Sequence, residues 1–243
     1  MTESPSRPAF YALRPGGWRD YLTLLHWPYT LWHLSYVAVG AALAPRMDWS
    51  LLGWTLLAFA LALGVGAHAL DELRGRPLQT RIPSRTLAGL AVVSIAGACA
   101  VGAAVAASRT LWLLAFVAAG AFLVVSYNLE LFGGAFHGDL WFAAAWGAFP
   151  VLTAYFASAR TLHAAAFAAA AYALAASWAQ RRLSTQVRLV RRRVVAVEGE
   201  ARLEDGGAFP VDADTLAAAP EAALKALAGA VVLLAAALLL VRA

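Results

Sequence analysis

Charged side chains and cysteines are scarce in this chain. Only 14% of its 243 residues are charged and 62% are hydrophobic, whereas a water-soluble domain usually has about 25% charged residues. This composition excludes an ordinary soluble enzyme. The single cysteine, Cys99, lies in an apolar run and cannot form an internal disulfide, so redox chemistry is not indicated.

Several catalytic and binding motifs are also missing from the sequence. The chain has no G-x-S-x-G motif, no P-loop, no G-x-G-x-x-G after a strand and no cysteine pairs at metal-binding spacing. The polar stretch 1–20 lacks the features of a signal peptide, and we expect it to stay on the protein.

Long apolar runs dominate what remains. Because a bilayer core about 30 Å thick needs roughly 20 apolar residues per helix, each run predicts a membrane span. The predicted spans are residues 24–44, 50–70, 87–107, 110–127, 140–157, 162–178 and 222–241. We therefore expect an all-α polytopic bundle of about seven transmembrane helices, forming one membrane domain over residues 1–243.

The basic residues predict the orientation of this bundle. Of the 19 Lys and Arg residues, only four fall on one side of the predicted spans: Arg46, Arg109, Arg160 and Arg242. Since cytoplasmic loops collect basic residues, the N-terminus is expected in the cytoplasm, in a bacterial-type inner membrane. The net charge of +5 is thus attributed to topology, and no nucleic-acid partner is expected.

Residues 180–221 form the only sizeable polar insert, which we expect in the cytoplasm. Residues 194–197 read as one strand and Phe209 and Val211 as part of another, with a turn at residues 205–207, so a small hairpin is predicted. Asp214 is expected to start the last helix.

Polar chemistry gathers first at the end of the second predicted helix. His68, Asp71 and Glu72 stand at i, i+3 and i+4 and should share one face. Carboxylates at a helix C-terminus are disfavoured by the macrodipole, so they need cations nearby, either arginines or a bound metal. Mg²⁺ is held by one or two carboxylates with substrate phosphates, so Asp71 and Glu72 are candidate metal ligands and catalytic residues.

Other polar residues extend this candidate site. Asp139 is a third candidate catalytic residue, although its place before the fifth predicted span also fits a helix cap. Arginines match phosphate oxygens bidentately. The candidate substrate-binding residues are His68, Arg74, Arg76, Arg81, Tyr127, Asn128, Glu130, His137, Arg181 and Arg182.

Simpler interpretations stay open for many of these residues. A single arginine is more often a solvated helix end that orients its helix in the membrane. His26, His33 and His163 are isolated in the sequence and are interpreted as packing residues. A transition-metal site of histidines and carboxylates has only weak support, because no paired H-x-x-x-H or repeated E-x-x-H pattern is present.

The three polar loops resemble those of the UbiA superfamily of intramembrane prenyltransferases. Residues 25–31 and 39–43 look like the opening helix of that family, and residues 68–84 are similar in spacing to its first Asp-rich motif, with Asp71 at an aspartate position and the stretch 81–84 at the end. Residues 127–155 resemble the fourth and fifth helices of the family. The resemblance covers roughly residues 20 to 190.

The sequence departs from the family at several points. His68 stands where another aspartate is expected, residues 180–185 lack the second acidic motif, and one helix follows instead of two or three. The resemblance implies a shortened bundle in which Mg²⁺ on the first motif binds an allylic isoprenoid diphosphate, arginines balance its charge, and an acceptor captures the prenyl cation. Arg181 and Arg182 are hypothesised to replace one metal.

A non-catalytic function is the main alternative. The protein would then bind a polyprenyl or phospholipid headgroup, as a partner of other membrane proteins, with the arginines holding phosphate and no bond cleaved. The missing second motif favours this alternative, and the predicted shared face of His68, Asp71 and Glu72 favours the enzyme.

Overall fold

The computed structural model describes residues 9–243 and is mostly helical. The first eight residues of the predicted polar N-terminal stretch lie outside this range. The helices are α1 (Trp18–Leu24), α2 (Trp27–Leu43), α3 (Trp49–Leu73), α4 (Ser84–Arg109), α5 (Leu113–Asn128), α6 (Leu131–Gly134, a single irregular turn), α7 (Asp139–Ala159), α8 (Ala164–Arg193) and α9 (Ala213–Leu240), and the strands are β1 (Gly199–Arg202) and β2 (Ala208–Val211).

Four of the helices, α3, α4, α7 and α9, are long and apolar enough to cross a membrane. Large apolar side chains stand exposed on all four of them, for example Trp54 on α3, Val93 on α4, Leu140 on α7 and Leu233 on α9. Lipid is the medium that makes such exposure favourable. The chain is thus an integral membrane protein of helical architecture, and the count of seven spans stays a prediction.

Helix α2 is enclosed by its neighbours, because 11 of its 17 residues are buried. It packs on α7 and α9, and its Trp32 and Tyr36 rings are fully buried. Trp32 Nε1 donates to Tyr36 Oη at 2.5 Å, and Ser177 Oγ of α8 donates to the same oxygen at 3.3 Å. The polar ends of both aromatic rings are therefore satisfied within the bundle.

Two glycines permit close approach between helices. A Cβ at Gly40 of α2 would lie 2.3 Å from the carbonyl oxygen of Val151 on α7. A Cβ at Gly147 of α7 would lie 2.4 Å from the carbonyl oxygen of Ala173 on α8. In both cases the obstacle is backbone, so only a residue without a side chain fits.

Two membrane-length helices contain a π-helical segment. The segment Ala60–Ala67 interrupts α3 just before His68, and the segment Ala143–Ala148 interrupts α7 around Trp146. Each segment changes the angular position of the residues that follow, compared with a regular α-helix. The polar end of α3 therefore departs from the 3.6-residue pattern, and the start of α7 is rotated relative to the rest of that helix.

The insert forms a hairpin, as predicted, but its first strand is shifted. β1 at Gly199–Arg202 pairs antiparallel with β2 at Ala208–Val211, whereas residues 194–197 contain no strand. The last helix also begins earlier than expected, at Ala213 instead of Asp214. Asp212 is the N-cap, and its carboxylate accepts from the backbone N–H of Thr215 at 2.7 Å, which lowers the pKa of Asp212.

We predict that Gly40→Ala destabilises the bundle by about 2 kcal/mol or more, because the new methyl group must displace the Val151 carbonyl. Gly53→Ala is the matched control, since no atom lies within 4 Å of a Cβ at that helical glycine. Thermal unfolding in detergent should separate the two variants. Equal stability of both would contradict the close helix contact.

Candidate functional site

A polar cavity of about 290 Å³ lies where α3 and α5 end and α7 begins. The second half of α8 forms one of its walls, and the start of α2 and residues 9–11 form others. Six of the predicted site residues line this cavity: His68, Asp71, Tyr127, Asn128, His137 and Arg181. Side chains from separate polar loops therefore meet in one space.

The two carboxylates of α3 face different surroundings. Asp71 lines the cavity, whereas Glu72 does not, and only 1% of Glu72 is exposed. One oxygen of Glu72 accepts from the backbone N–H of Leu78 at 3.0 Å, and the other accepts from the N–H and hydroxyl of Thr80, both at 2.8 Å. Instead of joining the expected shared face, Glu72 organises the loop after α3.

The predicted arginines of that loop lie outside the cavity lining. Arg74 donates to the carbonyl of Leu129 and pairs with Glu130 at 2.9 Å, with both side chains well exposed. Arg76 donates to the carbonyl of Ile82 at 2.5 Å and to Ser84 Oγ at 2.9 Å. These contacts tie the loop to itself and to the end of α5.

Asp139 is paired rather than free. It accepts from Arg181 Nε at 3.3 Å and from Arg182 Nη1 at 3.4 Å. The N-cap of α7 is Gly138, and the Asp139 side chain forms no capping hydrogen bond. The pair couples the start of α7 to α8, and Arg181 reaches the cavity while Arg182 lies outside the lining and is exposed.

The wall formed by α8 is basic. Arg181 and Arg188, seven residues apart, both line the cavity. Arg188 donates to Ser184 Oγ at 3.3 Å and to Thr185 Oγ1 at 2.9 Å, and it forms no ion pair with any carboxylate in residues 9–243. Burial, and then the neighbouring arginines, lower the pKa of Arg188, yet an arginine stays charged at neutral pH.

Aromatic rings next to Arg181 form another part of the cavity wall. Phe142 and Trp146 stack at 5.6 Å, and Tyr127 contacts Trp146 with ring centroids 4.5 Å apart. The guanidinium of Arg181 lies 5.6 Å from the centre of the Phe142 ring. The charge of this arginine is therefore held against a π surface at the edge of the basic wall.

Two buried polar atoms of cavity residues have no hydrogen-bond partner in the described part of the chain. They are Tyr127 Oη and Gln180 Oε1. An unsatisfied buried polar atom costs about 1–3 kcal/mol, so such atoms are rarely left without a partner. Both residues line the polar cavity.

Sequence reasoning missed two histidines of this cavity. His26 stacks on His68 with ring centroids 4.0 Å apart, and His33 binds the carbonyl oxygen of Trp146 through Nδ1 at 2.9 Å. Both line the cavity instead of serving only as packing residues. In the sequence, only the spacing of seven residues between His26 and His33, about two helical turns, could have indicated that they lie on the same side of α2.

Residues 9–17, here called the N-terminal strap, cover another part of the cavity. Tyr11 of the strap lines the cavity, and burial raises the pKa of its phenol. Buried Asp20 holds the strap, since it accepts from the backbone N–H of Gly16 at 2.8 Å and from that of Arg81 at 2.9 Å. The exposed side chain of Arg81, a predicted substrate ligand, lies outside the cavity lining.

A second cavity, of about 100 Å³, lies deeper among α3, α4, α5 and α7. Its lining is apolar and includes Phe59, Ile95, Cys99 and Phe149. Trp146 lines both cavities, so its indole stands between the polar space and the apolar one.

Comparison of the chain with protein-family models, with curated proteins and with solved structures yields no match. In residues 9–243, no group of three or more His, Cys, Asp or Glu side chains is placed to hold a metal ion.

We predict that Glu72→Ala destabilises the protein by more than about 2 kcal/mol, because three buried donors of the loop lose their acceptor. Glu130→Ala, which removes an exposed ion pair, should cost less than about 1 kcal/mol. Thermal unfolding measures both, and limited proteolysis should show cleavage near residues 74–83 in Glu72→Ala alone. Similar behaviour of the two variants would refute the structural role of Glu72.

Proposed function

We propose that the polar cavity binds the diphosphate group of an isoprenoid lipid. The observation that carries this proposal is Arg188, a mostly buried cation in the cavity wall that donates its hydrogen bonds to hydroxyl groups. Asp71 lines the same cavity and interacts electrostatically with Arg188 but forms no direct ion pair with it, so an anionic ligand would supply a direct counterion. Arg181 on the same wall provides a second guanidinium group for phosphate oxygens.

The hydrocarbon part of the ligand has a matching environment. The apolar cavity begins on the other side of Trp146, and its lining offers almost no polar atoms. A molecule with an anionic head and an isoprenoid tail would place the head against the arginines and direct the tail past Trp146. This match to a head and a tail favours a lipid over a soluble phosphate.

We further propose that the protein is a shortened member of the UbiA superfamily and transfers the prenyl group to an acceptor. Support comes from the convergence of Asp71, Tyr127, Asn128 and Arg181, drawn from the loops that carry the resemblance. The seven spans and the cytoplasmic N-terminus belong to this proposal, as does the hypothesis that arginines compensate for the missing second acidic motif.

The carboxylates fit Mg²⁺ only in part. Asp71 lines the cavity and can supply an oxygen, whereas both oxygens of Glu72 accept hydrogen bonds from the loop and Asp139 is paired with arginines. One carboxylate completed by water and substrate phosphates is a usual way to hold Mg²⁺. The ion, held at Asp71, would help neutralise the departing diphosphate.

The protein residues have separate roles in this reaction. Arg181 and Arg188 stabilise the negative charge that develops on the leaving group. The rings of Tyr127, Phe142 and Trp146 exclude water and offer π surfaces to the allylic cation. The acceptor captures that cation within the same cavity.

A non-catalytic binding function is the second candidate. The commitment of Glu72 and Asp139 to protein partners favours it, because only one of the three predicted catalytic carboxylates remains directed to the cavity. In that case the arginines hold a lipid phosphate and no bond is cleaved.

We predict that Arg188→Gln weakens binding of inorganic pyrophosphate about tenfold or more, because a charge-assisted contact is lost. Arg193→Gln is the matched control, since Arg193 lies exposed on the same helix outside the cavity. Calorimetric titration of the protein in nanodiscs measures the affinities. An unchanged affinity in Arg188→Gln would overturn the assignment of the anion site.

We predict Mg²⁺-dependent release of pyrophosphate from geranyl, farnesyl or geranylgeranyl diphosphate, abolished by Asp71→Asn. The physical reason is that Asp71 is the one predicted carboxylate that lines the cavity. Asp205→Asn, in the exposed hairpin turn, is the control. Tight binding without release in the wild-type protein would reject the transferase in favour of the binding function.

A further inference from the structure

The hairpin between α8 and α9 is a sheet of only two strands, each of four residues. A hairpin of this size is marginally stable alone, and further strands or a helix packed on its apolar face usually stabilise it. Leu203, directly after β1, is 50% exposed, and Phe209 of β2 is 44% exposed. The apolar face of the hairpin is therefore only partly covered in the described part of the chain.

The hydrogen-bond pattern shows which backbone groups of β1 lie on its outer edge. The N–H of Leu203 donates to the carbonyl oxygen of Gly207 at 2.8 Å. Bonded and non-bonded pairs alternate along an antiparallel ladder, so Ala201, two residues earlier, also bonds to β2. The N–H and C=O groups of Glu200 and Arg202 therefore point away from β2.

The two edges of the hairpin differ. On the outer edge of β2, Pro210 has no N–H to donate, and its carbonyl oxygen accepts from Thr215 Oγ1 at 3.2 Å. On the outer edge of β1, the backbone groups of Glu200 and Arg202 have no hydrogen-bond partner within residues 9–243. The edge of β1 is thus the one open to a further strand.

The side chains on this edge are complementary to themselves. Glu200 and Arg202 lie on one face of β1 and carry opposite charges, with their side chains 56% and 87% exposed. If a second β1 runs antiparallel with Ala201 opposite Ala201, Glu200 of each copy faces Arg202 of the other. The outward backbone groups then form the bonded pairs, and about four hydrogen bonds join the two strands.

The other face of β1 is complementary in the same register. Leu203 of each copy faces Gly199 of the other, which has no side chain to oppose it. The two Ala201 residues meet in the middle, and each lies beside Phe209 of its own hairpin. The apolar faces of the two hairpins therefore become one continuous apolar surface.

We propose that the open edge of β1 binds β1 of a second copy of this chain, so that two hairpins form one four-stranded antiparallel sheet. The contact uses the same residues on both copies, so it closes at a dimer. Copies with one orientation in one membrane carry their hairpins on the same side of the bilayer, where these edges can meet. The paired segment is short, because Glu198 would face Glu204 of the second copy beyond it. The contact is separate from the polar cavity.

A cysteine at the symmetric position tests the contact. Opposite residues of a non-bonded pair have Cα atoms about 4.5 Å apart, which a disulfide can span. In a Cys99→Ala background, which removes the only native cysteine, we predict that Ala201→Cys forms a cross-linked dimer on oxidation in membranes. Ala208→Cys, on β2, is the matched control and should give at least about fivefold less dimer. Equal or absent cross-linking in the two variants would overturn the proposal, and so would an edge that pairs with a different protein, because Ala201→Cys would then form no dimer.

Charge reversal tests the register in the Ala201→Cys protein. Glu200→Arg places arginines opposite each other and Arg202→Glu places glutamates opposite each other, so each variant should lose cross-linking about fivefold or more. Co-expression of the two variants should restore it, because every opposed pair in the mixed dimer has opposite charges. Neither variant keeps the ion pair within its own hairpin, so this recovery can come only from contact between copies. A mixture that cross-links no better than the separate variants would refute the register.

Discussion

The hydrogen bonds of Glu72 hold the loop after α3, and the arrangement of the polar end of the bundle depends on them. The adjacent carboxylate, Asp71, has a different role. Glu72 turns to the following loop and accepts three hydrogen bonds from Leu78 and Thr80, so the loop keeps a fixed path although it contains left-handed residues at Arg76 and Gln79. Asp71 is left directed to the cavity. Without the first interaction, the chain that leads to Arg81 and its contact with Asp20 would lose its anchor. Because Glu72 holds the loop, Asp71 remains open to a ligand in the cavity.

The two π-helical segments lie where α3 and α7 approach the cavity, and they explain why some side chains point to unexpected places. The segment Ala60–Ala67 directly precedes His68, and the segment Ala143–Ala148 contains Trp146. Such segments are rare and costly in isolation, and they occur often at functional sites. Here they let apolar helices place an imidazole and an indole in a polar space while the rest of each helix keeps its apolar surface.

Composition and apolar run length were enough to predict a helical membrane protein, because the bilayer sets the length of each span. The hairpin was likewise predictable from its turn residues, though β1 starts at Gly199 because the helical end of α8 runs on to Arg193. The site was predicted less completely. Spacing alone placed Glu72 beside His68 and Asp71, but the choice between cavity and loop depends on donors supplied by residues 78–80. The roles of His26 and His33 depend on contacts with α3 and α7, which no single helix reveals.

The way in which Asp20 holds the N-terminal strap has a kinetic consequence. Tyr11 and its neighbours line the cavity, so a molecule that enters from this side must first separate the strap from the loop at Arg81. This separation must break the two hydrogen bonds that the buried carboxylate of Asp20 accepts from the backbone N–H groups of Gly16 and Arg81. Asp20 would therefore affect the rate of entry on this side, although it does not line the cavity.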